Sequence, residues 1–378
     1  MPIWTRLRVE RRRNRTSATF DASRHDSAVI YGQDMDREAH PEIWRPLTGM
    51  PDGAHEWGFP GYAEFASKWN DVQAALKARE TPRRFLDGWL AERGREFAIE
   101  TGQIEGLYTL RSGITEQLIA EGFSGVVGSH TLEGVEDRTV KGLLEDQEAA
   151  YHMLFSDVAG GAGLTQHKIR AWHQLLTRHQ ATVTGLTPDG RRVQVEFKEK
   201  GQWKRWSNNP RRPDGVIHQY CPPEHVQAEM DRFIELHAQV EAEQYPIEVE
   251  AAWMHHRFVR THPFRDGNGR VSRMLMAYAY IRRGLPPPVI TNKSRDEYIR
   301  ALEAADRGNL RRFSELLGGY ALSTLVAGVS LGQNALEGYL SRPNGNGGRT
   351  VGDRYYPPLA SDQNPGVPDE DDRETSGD

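Results

Sequence analysis

From Tyr62 onward, apolar residues recur three and four positions apart, and this spacing constrains the fold more than any other feature of the chain. Phe65, Trp69, Val72 and Leu76 form the first such stripe. That period puts side chains on one face of an α-helix. A second helix is predicted from about Pro82, which suits a first helical turn, towards Ile99, with Phe85, Leu86, Trp89, Leu90 and Phe97 on it. "TGQIEGLYTLRSG" continues or follows that helix, and "RTVKGLLEDQEAAYHMLF" reads as another. Leu164, Ile169, Trp172, Leu175 and Leu176 mark a further buried face. So do Val226, Met230, Phe233, Ile234 and His237, and then "IEVEAAWMHHRFVR". Val271, Met274, Leu275, Tyr278 and Ile281 outline a buried helix that "GLPPPVI" ends, because proline lacks the N–H a helix needs. The stretch from Arg295 to Leu340 supplies the last helices.

The helical rhythm gives way to alternation in "RRVQVEF", the pattern of a half-buried strand. Turn formers follow, including Asp214-Gly215, a hairpin-type pair. A β-hairpin is therefore predicted near 191–220, set between helices, and the class is mainly α. Residues 1–60 read as an irregular arm that packs in places through Trp44 and Trp57. The Gly/Pro/acid-rich 342–378 reads as a disordered tail.

At 378 residues the chain can bury a sizeable core. Its formal net charge of −5 argues against a nucleic-acid partner, since phosphate binding usually brings a basic domain. Cys221 is the only cysteine, so an intrachain disulfide and a cysteine-based zinc cage are excluded, which fits a reducing compartment. The basic start "MPIWTRLRVERRRNRTS" lacks the apolar run of a signal peptide. No stretch of about 18 consecutive apolar residues predicts a membrane span. The expectation is a soluble cytoplasmic protein with no membrane partner.

The chemistry concentrates in "RTHPFRDGNGRVSRML", a loop leading into a helix. A helix start leaves N–H groups unpaired and carries partial positive charge. Gly267 and Gly269, with Asn268 between them, let backbone approach an anion there. Arg270 and Arg273 are three apart and so share a face; guanidinium groups suit phosphate oxygens. Asp266 offers a hard oxygen ligand for Mg²⁺, His262 a base for work near neutrality, and Phe264 an anchor into the core. Together these are parts for phosphoryl or nucleotidyl transfer from a nucleoside triphosphate. Two other features read as structural. Adjacent His255 and His256 point about 100° apart on a helix and so cannot easily share a metal ion. Cys221 has no evident chemical partner. Trp203, Trp206, Lys204, Arg205, Arg211 and Arg212 mix aromatic and basic groups; target docking or simple solvation fits them better than nucleic acid.

"HPFRDGNGRVSR" resembles the signature of the Fic (Fic/Doc, Fido-domain) family at every defined position. The resemblance implies a Fic-type helical core with the hairpin as a flap that holds a target segment in extended form. The implied organisation is an arm (1–60), an N-terminal helical region (61–160), a catalytic core (161–325), a C-terminal helix (326–341) and the tail (342–378). It also implies AMPylation, in which ATP donates AMP to a Ser, Thr or Tyr hydroxyl of a protein target held at the flap. His262 would take the hydroxyl proton, and Asp266 would hold Mg²⁺. Gly267, Asn268 and Gly269 would hold phosphate oxygens, and Arg270 and Arg273 would grip the β- and γ-phosphates. Tyr298 matches a tyrosine that lines the adenine pocket in relatives; Asp306 falls where some relatives carry asparagine.

Thr101, Glu105 and Gly106 in "TGQIEG" fit the family's inhibitory pattern, in which the glutamate reaches the second motif arginine, here Arg273. A carboxylate forked onto a guanidinium competes with phosphate for it. "SHTLEG", with Ser129 and Glu133, fits the same short pattern, but Glu105 follows a strongly amphipathic helix and is preferred. A partly exposed helix end would make Glu105 cheap to remove. The competing functions are removal of AMP, with Glu105 orienting water, and a non-catalytic ATP-sensing module. A homo-oligomer is compatible with all three.

Overall fold

The computed structural model describes residues 43–77, 79–111, 113–123, 137–187, 191–210 and 217–338, together with the backbone of Val29 and Ile30. Among these residues the fold is mainly α. The first four helices are α1 (Tyr62–Leu76), α2 (Glu80–Ile104), α3 (Ile114–Glu121) and α4 (Asp137–Ala159). Then come α5 (Gln166–Leu176), α6 (Val226–Ala242), α7 (Ile247–Thr261) and α8 (Asn268–Arg282), and finally α9 (Arg295–Asp306) and α10 (Leu310–Leu336).

The innermost helix is α8, in which every residue from Asn268 to Ile281 is buried. Its later residues are apolar and fill the core. Its first turns carry Asn268, Arg270, Ser272 and Arg273, which enter the interior only because partners from other elements meet them. α7 packs along α8, α5 and α4 flank it, and the C-terminal end of α2 reaches its start. α10 packs against α1, α2, α7 and α9, and it crosses the boundary expected near 325 as one continuous helix. α10 is long and apolar enough to cross a bilayer by length and composition alone. Its buried residues Leu310, Phe313, Leu317, Ala321 and Leu325 instead fill the face it turns to its neighbours.

The hairpin lies earlier than expected. Strand β2 (Thr182–Leu186) pairs antiparallel with β3 (Arg192–Glu196) in the register Val183↔Val195, so the partner of "RRVQVEF" precedes it. Val29–Ile30, as β1, adds in parallel to the other edge of β2. The alternation in Thr182–Leu186 is short and holds a glycine, whereas the longer turn-rich stretch downstream mimics a hairpin. That downstream stretch holds no strand where described, only bridge pairing at Ile217 and His218, whose amide donates to Pro210 O; Asp214, Gly215, Arg211 and Arg212 lie outside the described residues, as do Ser129, Glu133 and 342–378.

Residues 43–60 are tied to the core. The Leu47 amide donates to Glu229, the Phe59 amide to Glu248, and the Trp253 indole to the Thr48 carbonyl. Trp44 stacks on His225, and Trp57 packs against the same core.

Close packing of α1 and α2 on α10 needs small residues. A methyl placed on Gly328 would come within 2.6 Å of Trp69 and 3.0 Å of Trp89. At Gly319 it would meet only Phe59, at 3.8 Å. Gly328→Ala should therefore destabilise by about 1–3 kcal/mol through overpacking. Gly319→Ala should be neutral or stabilising by up to about 1 kcal/mol from helix propensity. Denaturant melts of the two variants test this, and equal midpoints would show that the helices part easily.

Candidate active site

α7 ends at Thr261, and His262 caps it in the left-handed conformation, at φ 50°. The six-residue loop that follows is braced at every position. The His262 amide donates to Phe258 O, and its Nδ1–H donates to Val259 O at 3.1 Å. A carbonyl can only accept, so this contact fixes the tautomer and leaves Nε2 as the lone-pair nitrogen. The imidazole stacks on Tyr220, with centroids 3.8 Å apart and planes 6° from parallel. Burial, followed by the charge of Lys204, lowers its pKa well below the ordinary value. His262 is therefore a neutral base with Nε2 able to accept a proton.

Pro263 O accepts from the Lys204 amide. Phe264 is buried and stacks on His173 at 3.7 Å. The Asn268 side chain folds back on it, accepting from the Phe264 amide at 2.9 Å and donating to its carbonyl at 2.8 Å. Asn208 donates to that carbonyl too. Arg265 pairs with Glu199. The Asp266 carbonyl accepts from His173 Nε2–H, whose other ring nitrogen accepts from the Gly201 amide. His173 is thereby held neutral, its pKa lowered by burial to about 3.

The Asp266 carboxylate accepts from the Gly267 amide at 2.7 Å and from Gln180 at 2.6 Å, with Arg270 at 3.7 Å. Burial alone would raise its pKa, but these donors and the Arg270 charge hold it well below the usual carboxylate range. An ionised, partly accessible carboxylate is the donor that Mg²⁺ takes. Among the described residues no cluster of three or more His, Cys, Asp or Glu gathers around a point, so a metal here would share one protein carboxylate with its substrate's oxygens.

Asn268 and Arg270 are used differently from the sequence expectation. The Asn268 side chain closes the loop, which leaves its backbone N–H, not its amide group, at the helix start. Arg270 donates to Leu176 O and to Gln180 Oε1, so it braces Asp266 from behind. Gly267 caps α8 at φ 80°, where a methyl would come within 3.1–3.3 Å of Thr177, Arg270 and His173.

Arg273 faces α2. Its Nε donates to Thr101 Oγ1 at 2.7 Å, and Nη2 donates to Thr101 O at 3.2 Å and to Glu105 Oε1 at 2.5 Å. Nη1 reaches the Tyr298 hydroxyl at 3.4 Å. Tyr298 is buried behind the arginine, its hydroxyl also 2.8 Å from His255 and its ring against Phe313. The sequence match to an adenine-lining tyrosine thus lands on a residue whose visible contact is Arg273. Glu105 is 6% exposed, so the expectation of a cheaply removed, part-exposed helix end does not hold. Its carboxylate also covers the cradle, because a methyl on Gly269 would sit 2.2 Å from Glu105 Oε1. Burial opposes ionisation of Glu105, but the Arg273 charge outweighs it and draws the pKa down to about 2.

The fold brings His262, Asp266, Gly267, Asn268, Gly269, Arg270, Arg273, Tyr298 and Glu105 into one region. Residues that sequence reasoning missed are Gln180, His173, Glu199, Asn208 and Tyr220, and Lys204 and Trp203 were misread as surface groups. Lys204 is 4% exposed and Trp203 packs on Phe264. No local pattern marks them, because each meets the loop only through the tertiary fold. His256 bonds to Asp306, and Cys221 is buried with its thiol pushed up to about 12 by burial, both as structural groups.

With that geometry in place, the comparisons define the class. Residues 163–280 match the model of the Fic/DOC family, so this part of the chain is a Fic domain. Protein adenylyltransferase Fic of Drosophila persimilis is 40% identical over 75 residues, 20% of this chain and 15% of that protein. The Drosophila willistoni protein of the same name is 36% identical over 97 residues, 25% and 19% of the two chains. The chain therefore aligns with less than a fifth of these relatives' length. The fold resembles a Fic domain containing signaling protein from Bacteroides thetaiotaomicron, with a TM-score of 0.57, 21% identity, and 72% and 97% of the two chains covered. It also resembles Fic-1 from C. elegans, with a TM-score of 0.53, 20% identity, and 72% and 70% covered.

Two outcomes follow from this geometry. Asn268→Ala should lower stability by about 1–3 kcal/mol, because it strips buried backbone groups of Phe264 of a partner; an unchanged urea midpoint would mean the loop closes without it. The Glu105 contribution should depend on pH. Its folded pKa lies below the ordinary 4.5, so stabilisation is complete above that value and is lost as pH falls towards about 2. Melting curves of wild type and Glu105→Gln should stay apart above pH 5 and draw together as pH falls from there to about 2. A constant separation would place the coupling elsewhere.

Proposed function

We propose that this chain is a protein adenylyltransferase that is held silent by Glu105. The observation that carries the proposal is the pairing of a tautomer-fixed, neutral His262 with an anion cradle whose space Glu105 fills from α2. Base and cradle are what transfer from a nucleoside triphosphate requires. The target's hydroxyl proton passes to His262 Nε2, the oxygen bonds to the α-phosphorus of ATP, and pyrophosphate leaves. Backbone N–H groups at the start of α8 receive phosphate oxygens, and Arg273, once released, takes the terminal phosphate. Asp266 would hold Mg²⁺, which would neutralise phosphate charge. The hairpin lies beside the loop through Glu199–Arg265, and β3, at the edge of the sheet among the described residues, is where an extended target segment would add.

While paired with Arg273, whose charge draws its pKa down to about 2, Glu105 is a weak general base, so its part in AMP removal would be to orient water. A purely ATP-sensing module would have no use for the fixed lone pair of His262. The adenylyltransferase names of the Drosophila relatives point the same way.

The test is incubation with α-labelled ATP. Wild type should label itself or added protein weakly, and Glu105→Gly should label strongly. Glu105→Gly should also lose on the order of 3 kcal/mol of stability, because Arg273 is left buried without its counter-ion, and ATP should restore part of it. In that background His262→Ala should stop labelling while ATP still binds, and Asp266→Ala or excess chelator should do the same. Labelling that persists without His262 would overturn the mechanism. Silent Glu105→Gly that folds and binds ATP would favour the sensing module.

A further inference from the structure

Lys204 is a buried lysine, no ion pair to a carboxylate is seen for it among the described residues, and no step of phosphate chemistry uses it. Its Nζ donates to Asn208 Oδ1 at 2.7 Å, and its amide donates to Pro263 O at 2.8 Å, the residue after His262. The ammonium lies over the Tyr220 ring, 5.8 Å from the centroid. That same ring stacks on His262. Tyr220 is fixed in turn: its amide donates to Asn209, and its ring meets His218 edge-on at 4.8 Å. Asn208 bridges Lys204 to Phe264 O, so the ammonium is anchored to the loop that carries the base.

Glu224 and Cys221 face Lys204, and the thiol is neutral because burial raises it to about 12. On the His262 side, Lys204 supplies the nearby ammonium, and the His218 ring accepts from Arg260 at Nε2. Burial brings the Lys204 pKa down from 10.5 to about 7. Below that pH the lysine carries the charge, and a second cation at His262 is opposed by it.

We propose that Tyr220 and Lys204 are positioning residues for the base: the Tyr220 ring sets the plane of the His262 imidazole, and the Lys204 ammonium keeps that imidazole unprotonated in mildly acidic solution. The inference rests on His262 being the base of AMP transfer, and it extends the pH range over which Nε2 is ready for the hydroxyl proton. Aromatic stacking holds the ring without competing for Nε2, which a hydrogen bond to that nitrogen would do.

Histidine-ring NMR on the full chain tests the proposal without ATP. His262 is identified by the signal lost in His262→Ala, and its titration is followed from pH 8 to pH 5. Wild-type His262 should stay neutral at pH 6. Lys204→Met, which keeps the stem and removes the charge, should raise its proton affinity by about tenfold, one pH unit in midpoint. In the Glu105→Gly background, Tyr220→Leu should lower kcat at least tenfold at unchanged KM for ATP, and Tyr220→Phe should restore it. A wild-type midpoint near the ordinary histidine value overturns the proposal even if Lys204→Met fails to fold. A folded Lys204→Met with an unmoved His262 midpoint overturns it as well, since burial alone would then account for the neutral ring. Failure of the transferase reading looks different: Glu105→Gly transfers no label while the His262 titration behaves as stated.

Discussion

A guanidinium cannot be left bare inside a protein, and Arg273 is fully enclosed at the start of the central helix. Desolvating it is expensive unless hydrogen bonds and an opposite charge replace water. The chain supplies them from 168 residues away, through Thr101 and Glu105 at the end of α2. The placement of the N-terminal helical region follows from this need. Once α2 is drawn to Arg273, α4 can pack on it, with Phe97 against Tyr151 and Gly94 leaving room for that ring at 3.0 Å. Tyr108 then folds back to donate to Ile99 O over Gly102, where a methyl would sit 2.2 Å from its hydroxyl. The glycine of "TGQIEG" thus has a steric cause beside the charged one.

The loop between α7 and α8 shows the complementary strategy. Its polar groups are satisfied by neighbours before any substrate arrives. Such bracing removes the entropy of ordering the loop from the chemical step. His173, Gln180 and Asn208 each fix one atom of the loop, at Asp266 O, the Asp266 carboxylate and Phe264 O. Arg270 belongs with them, since its forks are spent on Leu176 O and Gln180.

Local pattern made the helices legible. Each stripe of apolar residues three and four apart fell on a helix and most of its residues turned inward, as with Trp69, Val72 and Leu76 on α1, while Phe85 on α2 stayed exposed. The motif from His262 to Arg273 was legible because its residues are contiguous and a helix start has known electrostatics. The hairpin was displaced because Thr182–Leu186 is too short for alternation to stand out. Lys204 was misread because a lysine between tryptophans in a turn-rich stretch looks solvated; only the fold shows that the stretch lies under the loop. Arg270 and Arg273 share a helix face by spacing, yet one turns to α5 and the other to α2. Side-chain direction at that scale depends on which neighbours offer acceptors, and spacing does not contain it.

The grip on Glu105 comes from more than Arg273. Arg295 donates to Ile104 O, and the Asn292 amide donates to Glu100, the residue just before the motif. Burial raises the Glu100 pKa to about 7, and the Asn292 amide works against that rise. In the proposed reading, phosphate and Glu105 compete for one guanidinium and one cradle. The energy that ATP must supply to displace the carboxylate is then set by how firmly α2 is held at Thr101, Ile104 and Glu100. In that reading fold stability and activity would oppose each other at this point: each contact that anchors the end of α2 at Ile104 and Glu100 would also hold Glu105 on Arg273.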